Sequence, residues 1–217
     1  MMRPSLPRRW VLLAASCAVS LPGCSVLPDP PGARIYRLSP LADDPVDGVS
    51  LRKRLVIDMP TVSESLDTDR IALTRGRTGL DYYAGSIWTD RVPVLLQGLL
   101  VEAFENDGHI AEVGRDAGVL TPDYLLETEI RDFDARYTGA DEHPPTAVVA
   151  LVLSLIRMPD RQMIGQTLIT DTSSASRNDL DVIVEAFDSA VGKALIRSVA
   201  WTLREMGEAA EHIKTGP

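Results

Sequence analysis

The sequence predicts an α+β fold, a two-layer sandwich in which two long helices pack on a mostly antiparallel sheet. Three observations predict it. Two stretches carry apolar residues at helical spacing, one in the middle of the chain and one near its end. Residues 124–171 read as three long strands separated by turn signals. The order of elements is three strands, a helix, a short strand, three strands and a helix, with no internal repeat and no convincing domain boundary.

Arg34-Ile35-Tyr36-Arg37-Leu38 alternates and reads as a short edge strand, and residues 41–50 are acidic and turn-rich. Leu55-Val56-Ile57-Asp58-Met59, ended by Pro60, is the first full strand. Residues 63–69 form a polar connection. Arg70-Ile71-Ala72-Leu73-Thr74 and Leu80-Asp81-Tyr82-Tyr83-Ala84 make a hairpin around the glycine-bearing turn 75–79.

Thr89 or Asp90 is expected to cap a helix reaching Asn106, with Pro93 tolerated in its first turn. Trp88, Val92, Leu95, Leu96, Leu99, Ala103 and Phe104 form its apolar stripe, and Gly108 is placed to end it. Residues 110–113 suit a short strand, and 116–122 a loop. Over 124–137 the alternation changes phase, which predicts a long strand whose core face switches at a bulge. Residues 147–158 (AVVALVLSLIRM) are β-branched and almost continuously apolar, as in a central strand buried on both faces. Pro159-Asp160 turns the chain into the returning strand 162–171, and 172–178 is polar. Asp179 opens a helix to about Ala210, with Leu180, Ile183, Val184, Phe187, Val191, Ala194, Leu195 and Val199 facing inward.

The chain has 217 residues, 22 basic and 31 acidic, for a net charge of −9. One domain with a sizeable core fits this length. The acidic balance, with no basic stripe, disfavours nucleic acid and direct adhesion to anionic lipid.

The first residues have a different character. Arg3, Arg8 and Arg9 precede an apolar run over 10–21, the pattern of an export signal. That run is too short for a bilayer span, which needs ~20 apolar residues. It ends in Leu21-Pro22-Gly23-Cys24, which looks like a bacterial lipobox, although Pro22 is an unusual occupant. On this reading residues 1–23 are a signal peptide and Cys24 is the lipidated first residue of the mature chain. Three other readings stay open: lipidation at Cys17, a Cys17–Cys24 disulfide, and cleavage without lipid. Two or three acyl chains hold a protein durably on a membrane, whereas one gives only reversible binding. Residues 24–33 are then a proline-stiffened tether, 34–210 the folded domain and 211–217 a flexible tail. Ser25 in place of an aspartate resembles the outer-membrane sorting class.

Catalytic chemistry is sparse. His109, His143 and His212 lack metal-ligand spacing, and solvent-exposed imidazoles are expected. Asp67 and Asp69 read as a polar turn in preference to a cation site. Ser173-Ser174 has no nucleophile-elbow context. No cofactor or metal is expected. Tyr82, Tyr83 and Trp88 are candidates for a partner or lipid contact, with core packing as the competing reading.

An ordered set of motifs then carries a resemblance. After the lipobox come Tyr36-Arg37-Leu38, Leu55-Val56-Ile57-Asp58-Met59-Pro60, and Leu66-Asp67-Thr68-Asp69-Arg70-Ile71. Leu80-Asp81-Tyr82-Tyr83-Ala84 with Trp88, Leu95-Leu96-Gln97, and Asp123-Tyr124-Leu125-Leu126 follow. The chain resembles the auxiliary lipoprotein components of ABC-type transport systems, including the intermembrane-transport lipoproteins of the paraquat-inducible operon type. The resemblance implies a non-enzymatic protein on the periplasmic face of the outer membrane. It implies a partner, an MCE-domain protein of an inner-membrane ABC transporter that moves lipids or other hydrophobic molecules. Docking around a tubular MCE assembly would also suit a homo-oligomer. The alternative is a periplasmic lipid-binding carrier, which needs an apolar cavity of ~300 Å³ or more. Cys24, with palmitate among its expected acyl groups, is the only residue the family carries over.

Overall fold

A computed structural model describes residues 32–39, 51–115, 121–138, 143–158 and 160–215. Within them lie β1 (Arg34–Tyr36), β2 (Leu51–Ile57), β3 (Thr61–Val62), β4 (Arg70–Arg75) and β5 (Gly79–Trp88). There follow α1 (Val92–Asp107), β6 (Ile110–Gly114), β7 (Tyr124–Tyr137), β8 (Thr146–Arg157), β9 (Gln162–Ser174) and α2 (Leu180–Thr215).

The fold is the expected α+β, and β7 is its spine. One edge of β7 pairs antiparallel with β8 along nearly its whole length. The other edge is shared by three parallel strands in succession. β2 takes residues 124–126, β3 takes 129–130 and β4 takes 135–137. From β2 the sheet continues to β6, and from β4 it continues through the β4–β5 hairpin to β1. On the far side β9 pairs antiparallel with β8. The long pairings are therefore antiparallel and the short ones mostly parallel.

The expected bulge lies at Arg131: Ile130 faces Leu151, and Asp132 faces the next residue, Ala150. Tyr124, Leu126 and Ile130 enter the core before it, and Phe133, Ala135 and Tyr137 after it. One extra residue thus keeps a fourteen-residue strand apolar on a single face.

Both helices lie on that face, α2 across β8 and β9, and α1 against β6, β2 and α2. Trp88, Phe133 and Phe187 join sheet to helix, with ring centroids 5.3–5.9 Å apart. Ten of the sixteen residues of α1 are buried, so it is enclosed well beyond one stripe. Its buried Gln97 donates Nε2 to the Ile57 carbonyl at 3.0 Å. Gly108 ends α1 as expected, in the left-handed conformation at φ 70°, which a glycine adopts without Cβ strain.

Several expectations change. Neither Thr89 nor Asp90 caps α1; Arg91 holds that position without a side-chain cap. The first orphan amide, on Val92, is satisfied by the Thr68 carbonyl at 3.1 Å, and Pro93 has no amide to satisfy. Trp88 ends β5 and does not begin the helical stripe. The two-residue β3 went unforeseen. β9 runs on to Ser174, where Thr146 and Ser174 pair their hydroxyls at 3.0 Å. α2 continues to Thr215, into the stretch expected as a tail. Among the described residues no helix is long and apolar enough to cross a membrane.

Candidate functional site

Cys24 lies outside the described residues. The first described segment after it, 32–39, is fastened to α2. Arg34 Nη2 donates to both Asp181 carboxylate oxygens, at 2.8 and 3.1 Å, and the Tyr36 hydroxyl donates to Asp181 Oδ1 at 2.6 Å. The Arg34 guanidinium also lies 5.2 Å from the Tyr36 ring centroid. The Ser39 amide donates to Asp188 Oδ1 at 2.6 Å, and the Thr89 amide donates to the Tyr36 carbonyl. Hydrogen bonds from Tyr36 and Arg34 hold the Asp181 carboxyl below the usual carboxylate range. Burial and the bond to Asp181 raise the Tyr36 phenol. The segment expected to emerge from the tether is thus locked to the longest helix by two carboxylates, Asp181 gripping β1 and Asp188 gripping Ser39 just beyond it.

The aromatic candidates separate. Trp88 is 1% exposed inside the ring cluster with Phe133 and Phe187, which removes it from any surface contact. Large apolar area makes the core the better place for it. Tyr82 lies under the Arg70 guanidinium, 3.9 Å from its ring centroid, and donates its hydroxyl to the Ser65 carbonyl. Tyr83 points to the opposite face of β5. Its hydroxyl meets that of Tyr137 at 2.9 Å, and Tyr137 donates to Asn178 at 2.8 Å. Burial, with the Tyr137 bond second, pushes the Tyr83 phenol strongly up, so it stays neutral. Tyr82 and Tyr83 are half-buried.

Polar clefts surround the domain. One of about 470 Å³ is lined by Ser63, Thr74, Arg77, Arg131, Asp132, Asp134 and Arg136. Arg136 is already paired with Asp132 and Asp134, which occupies much of its charge. Another of about 570 Å³ lies along the outer side of α1, with Arg37, Glu102 and Arg115.

Asp67 is paired with Arg91, and Asp69 gives its backbone carbonyl to the Trp88 amide. Both therefore serve the turn. His109 is buried, against the expectation of an exposed ring, and its Nδ1 lies 2.9 Å from Asp107 Oδ2. Its backbone joins α1 to β2, with the Leu51 amide donating to the His109 carbonyl. His143 is exposed, and the side chain of His212 lies outside the described residues. No group of three or more His, Cys, Asp or Glu among the described residues is arranged to hold a metal.

Comparisons with known proteins agree with this architecture. No curated protein sequence matches the chain. A crystal structure of a protein from Xanthomonas campestris, assigned to the DUF330 family, superposes with a TM-score of 0.76 at 25% identity. The match covers 82% of this chain and 99% of that one. An uncharacterized protein of known structure shares the fold with a TM-score of 0.63 at 13% identity, covering 78% of this chain and 97% of its own. The family model described as the ABC-type transport auxiliary lipoprotein component matches residues 36–200, from β1 well into α2. By that match over most of its length, the chain belongs to the ABC-type transport auxiliary lipoprotein component family.

Proposed function

We propose that this protein is an outer-membrane lipoprotein, anchored at Cys24, that docks an MCE-type ABC transport system moving lipids or hydrophobic molecules across the periplasm. It acts by tethering and binding, without catalysis. The observation that carries the reading is a family match that begins at Tyr36, directly downstream of a lipobox and proline-rich tether. The clamp at Asp181 supports it: strain on a lipid anchor would reach α2 through Arg34 and Tyr36 without needing to unravel β1. A lipid-carrier role would need an enclosed apolar interior; the cleft of about 470 Å³ is open and mainly polar, and the open cleft of about 570 Å³ mixes Leu38, Val94, Leu95 and Leu99 with charged side chains.

The test is a crosslinking pull-down from membranes, comparing wild type with Cys24→Ala. An MCE-domain protein should co-purify with wild type, and the variant should lose outer-membrane fractionation. A variant that fractionates like wild type overturns the anchor. An anchored wild type with no MCE partner overturns the docking role.

A further inference from the structure

The two ends of the sheet stand at unequal distances from the point where the tether enters the domain. At one end β4 turns into β5 through residues 76–78, level with Tyr137, where β7 finishes. At the other end β8 turns into β9 through residues 158–161, level with Tyr124, where β7 begins. Arg34 pairs with Ser86, and the register through β5 and β4 carries that position across to Phe133 of β7. β1 runs parallel to β5, away from the 76–78 turn, so the chain enters β1 from the side of that turn.

Strand geometry gives the distances. Ile71, level with Arg34, is four residues from Arg75, ~13 Å, and two strand spacings across add ~10 Å. The 76–78 turn is therefore about 17 Å from Arg34. Val149, opposite Phe133, is eight residues from Arg157, ~27 Å, and four spacings across add ~19 Å. The 158–161 turn is therefore more than ~33 Å away.

Cys24 lies eight residues before Gly32, and Pro28, Pro30 and Pro31 fall between them. Such a stretch spans ~25 Å as an extended polyproline chain. The 76–78 turn falls inside that reach. The 158–161 turn does not: a domain standing on it would hold Gly32 ~30 Å or more above the membrane. The clamp keeps the comparison fixed. Arg34, Tyr36 and Ser39 are bonded to Asp181 and Asp188, so the tether gains no length from β1 unless those bonds break. A chain of net charge −9 also has no adhesive reason to lie flat on anionic headgroups.

We propose that the anchored domain stands with its 76–78 turn against the phospholipid surface that holds Cys24, and presents the 158–161 turn away from it. Tether length and the entry side of β1 set this orientation. Met163, 56% exposed, and the part of α2 around Glu205, which lies against Gly165, are at the outward end. A partner reaching from the opposite membrane meets that end first. The proposal rests on lipidation at Cys24 and deepens the docking role by naming the end that docks.

The test uses the mature lipidated protein in phosphatidylcholine vesicles that carry a nitroxide quencher on the headgroup. Thr78→Cys and Arg161→Cys each supply one thiol for a fluorophore, because Cys17 leaves with the signal peptide and the Cys24 sulfur carries lipid. Quenching at position 78 should exceed that at 161 by about twofold or more, since the tether holds one end nearer. Inserting about twenty Gly-Ser residues between Leu27 and Pro28 makes the tether long and flexible, and should remove the difference. Equal quenching at both positions, stronger quenching at 161, or a difference that survives the insertion overturns the proposal. Such a result in a protein that needs Cys24 to bind vesicles overturns the orientation alone and leaves the anchor standing. Vesicle binding that persists in Cys24→Ala overturns the anchor, and the orientation with it.

Discussion

The Tyr36 hydroxyl lies 2.6 Å from Asp181 Oδ1, across 145 residues of sequence, and closes the first strand of the domain onto the start of its last helix. Asp181→Ala should free β1 from α2 while leaving the β7–β8–β9 meander intact. Amide exchange at Ile35 and Tyr36 should accelerate, and a protease should cut more readily before β1. Unchanged exchange in the variant would show that pairing with β5 holds β1 by itself.

The same contact gives a pH dependence. The Asp181 carboxyl is lowered from its ordinary 3.8, so its contribution is present above about that pH and is lost as the pH falls through the lower folded value. The Tyr36 phenol is raised from 10.0, so its contribution is present below pH 10 and is lost as the pH rises through the higher folded value. Exchange at β1 should therefore be flat between about pH 4 and 10 once corrected for intrinsic rates, and should rise on both sides. In Asp181→Asn the acid limb should disappear.

Phe187 packs edge-on against Trp88 and tilted against Phe133, where both layers meet. Phe187→Ala opens a cavity that neither ring can fill without leaving its partner. A loss of about 3–5 kcal/mol is expected in denaturant unfolding. A loss below ~1 kcal/mol would mean that the core collapses around the site.

Gln97 is the buried polar side chain that ties α1 to β2. Gln97→Leu keeps the bulk and leaves the Ile57 carbonyl unsatisfied, at a cost of about 1–3 kcal/mol. Denaturant unfolding of the variant checks this, and unchanged stability would show that the carbonyl finds another donor.

A Cβ on Gly165 would lie 2.9 Å from Glu205 Oε2 and 3.3 Å from the Trp201 ring. The Glu205 carboxylate can swing away and the tryptophan cannot. Gly165→Ala should lower stability by about 1 kcal/mol. Adding Glu205→Ala should recover only part of that, as thermal unfolding of the single and double variants would show.

Much of this fold was legible in the chain. The phase change over 124–137 announced the Arg131 bulge, because two alternating patterns of opposite phase cannot share one core face without an extra residue. Gly108 marked the end of α1 because left-handed backbone favours glycine. Trp88 misled because 88, 92, 95 and 96 also fit helical spacing, although Trp88 closes β5. β3 was invisible because two residues carry no period. Of the surface, the Asp181 clamp and the bonds from Lys193 and Arg197 to β9 carbonyls left no local signal. Each joins a helix residue to a strand that only the finished topology brings near, with Arg34 and Asp181 147 positions apart. His109 was expected in solvent because it sits at the connection after α1, yet packing buries it.

The three-way sharing of one edge of β7 has a consequence for the order of synthesis. β2, β3 and β4 are all made before β7, the strand that unites them. Until residues 124–137 arrive, β2 and β3 lack that partner and β4 can pair only with β5. The nascent N-terminal half therefore exposes strand edges for as long as the ribosome or an export channel withholds the spine. A chaperone that binds extended apolar chain would find its target there, and arrival of β7 would release it.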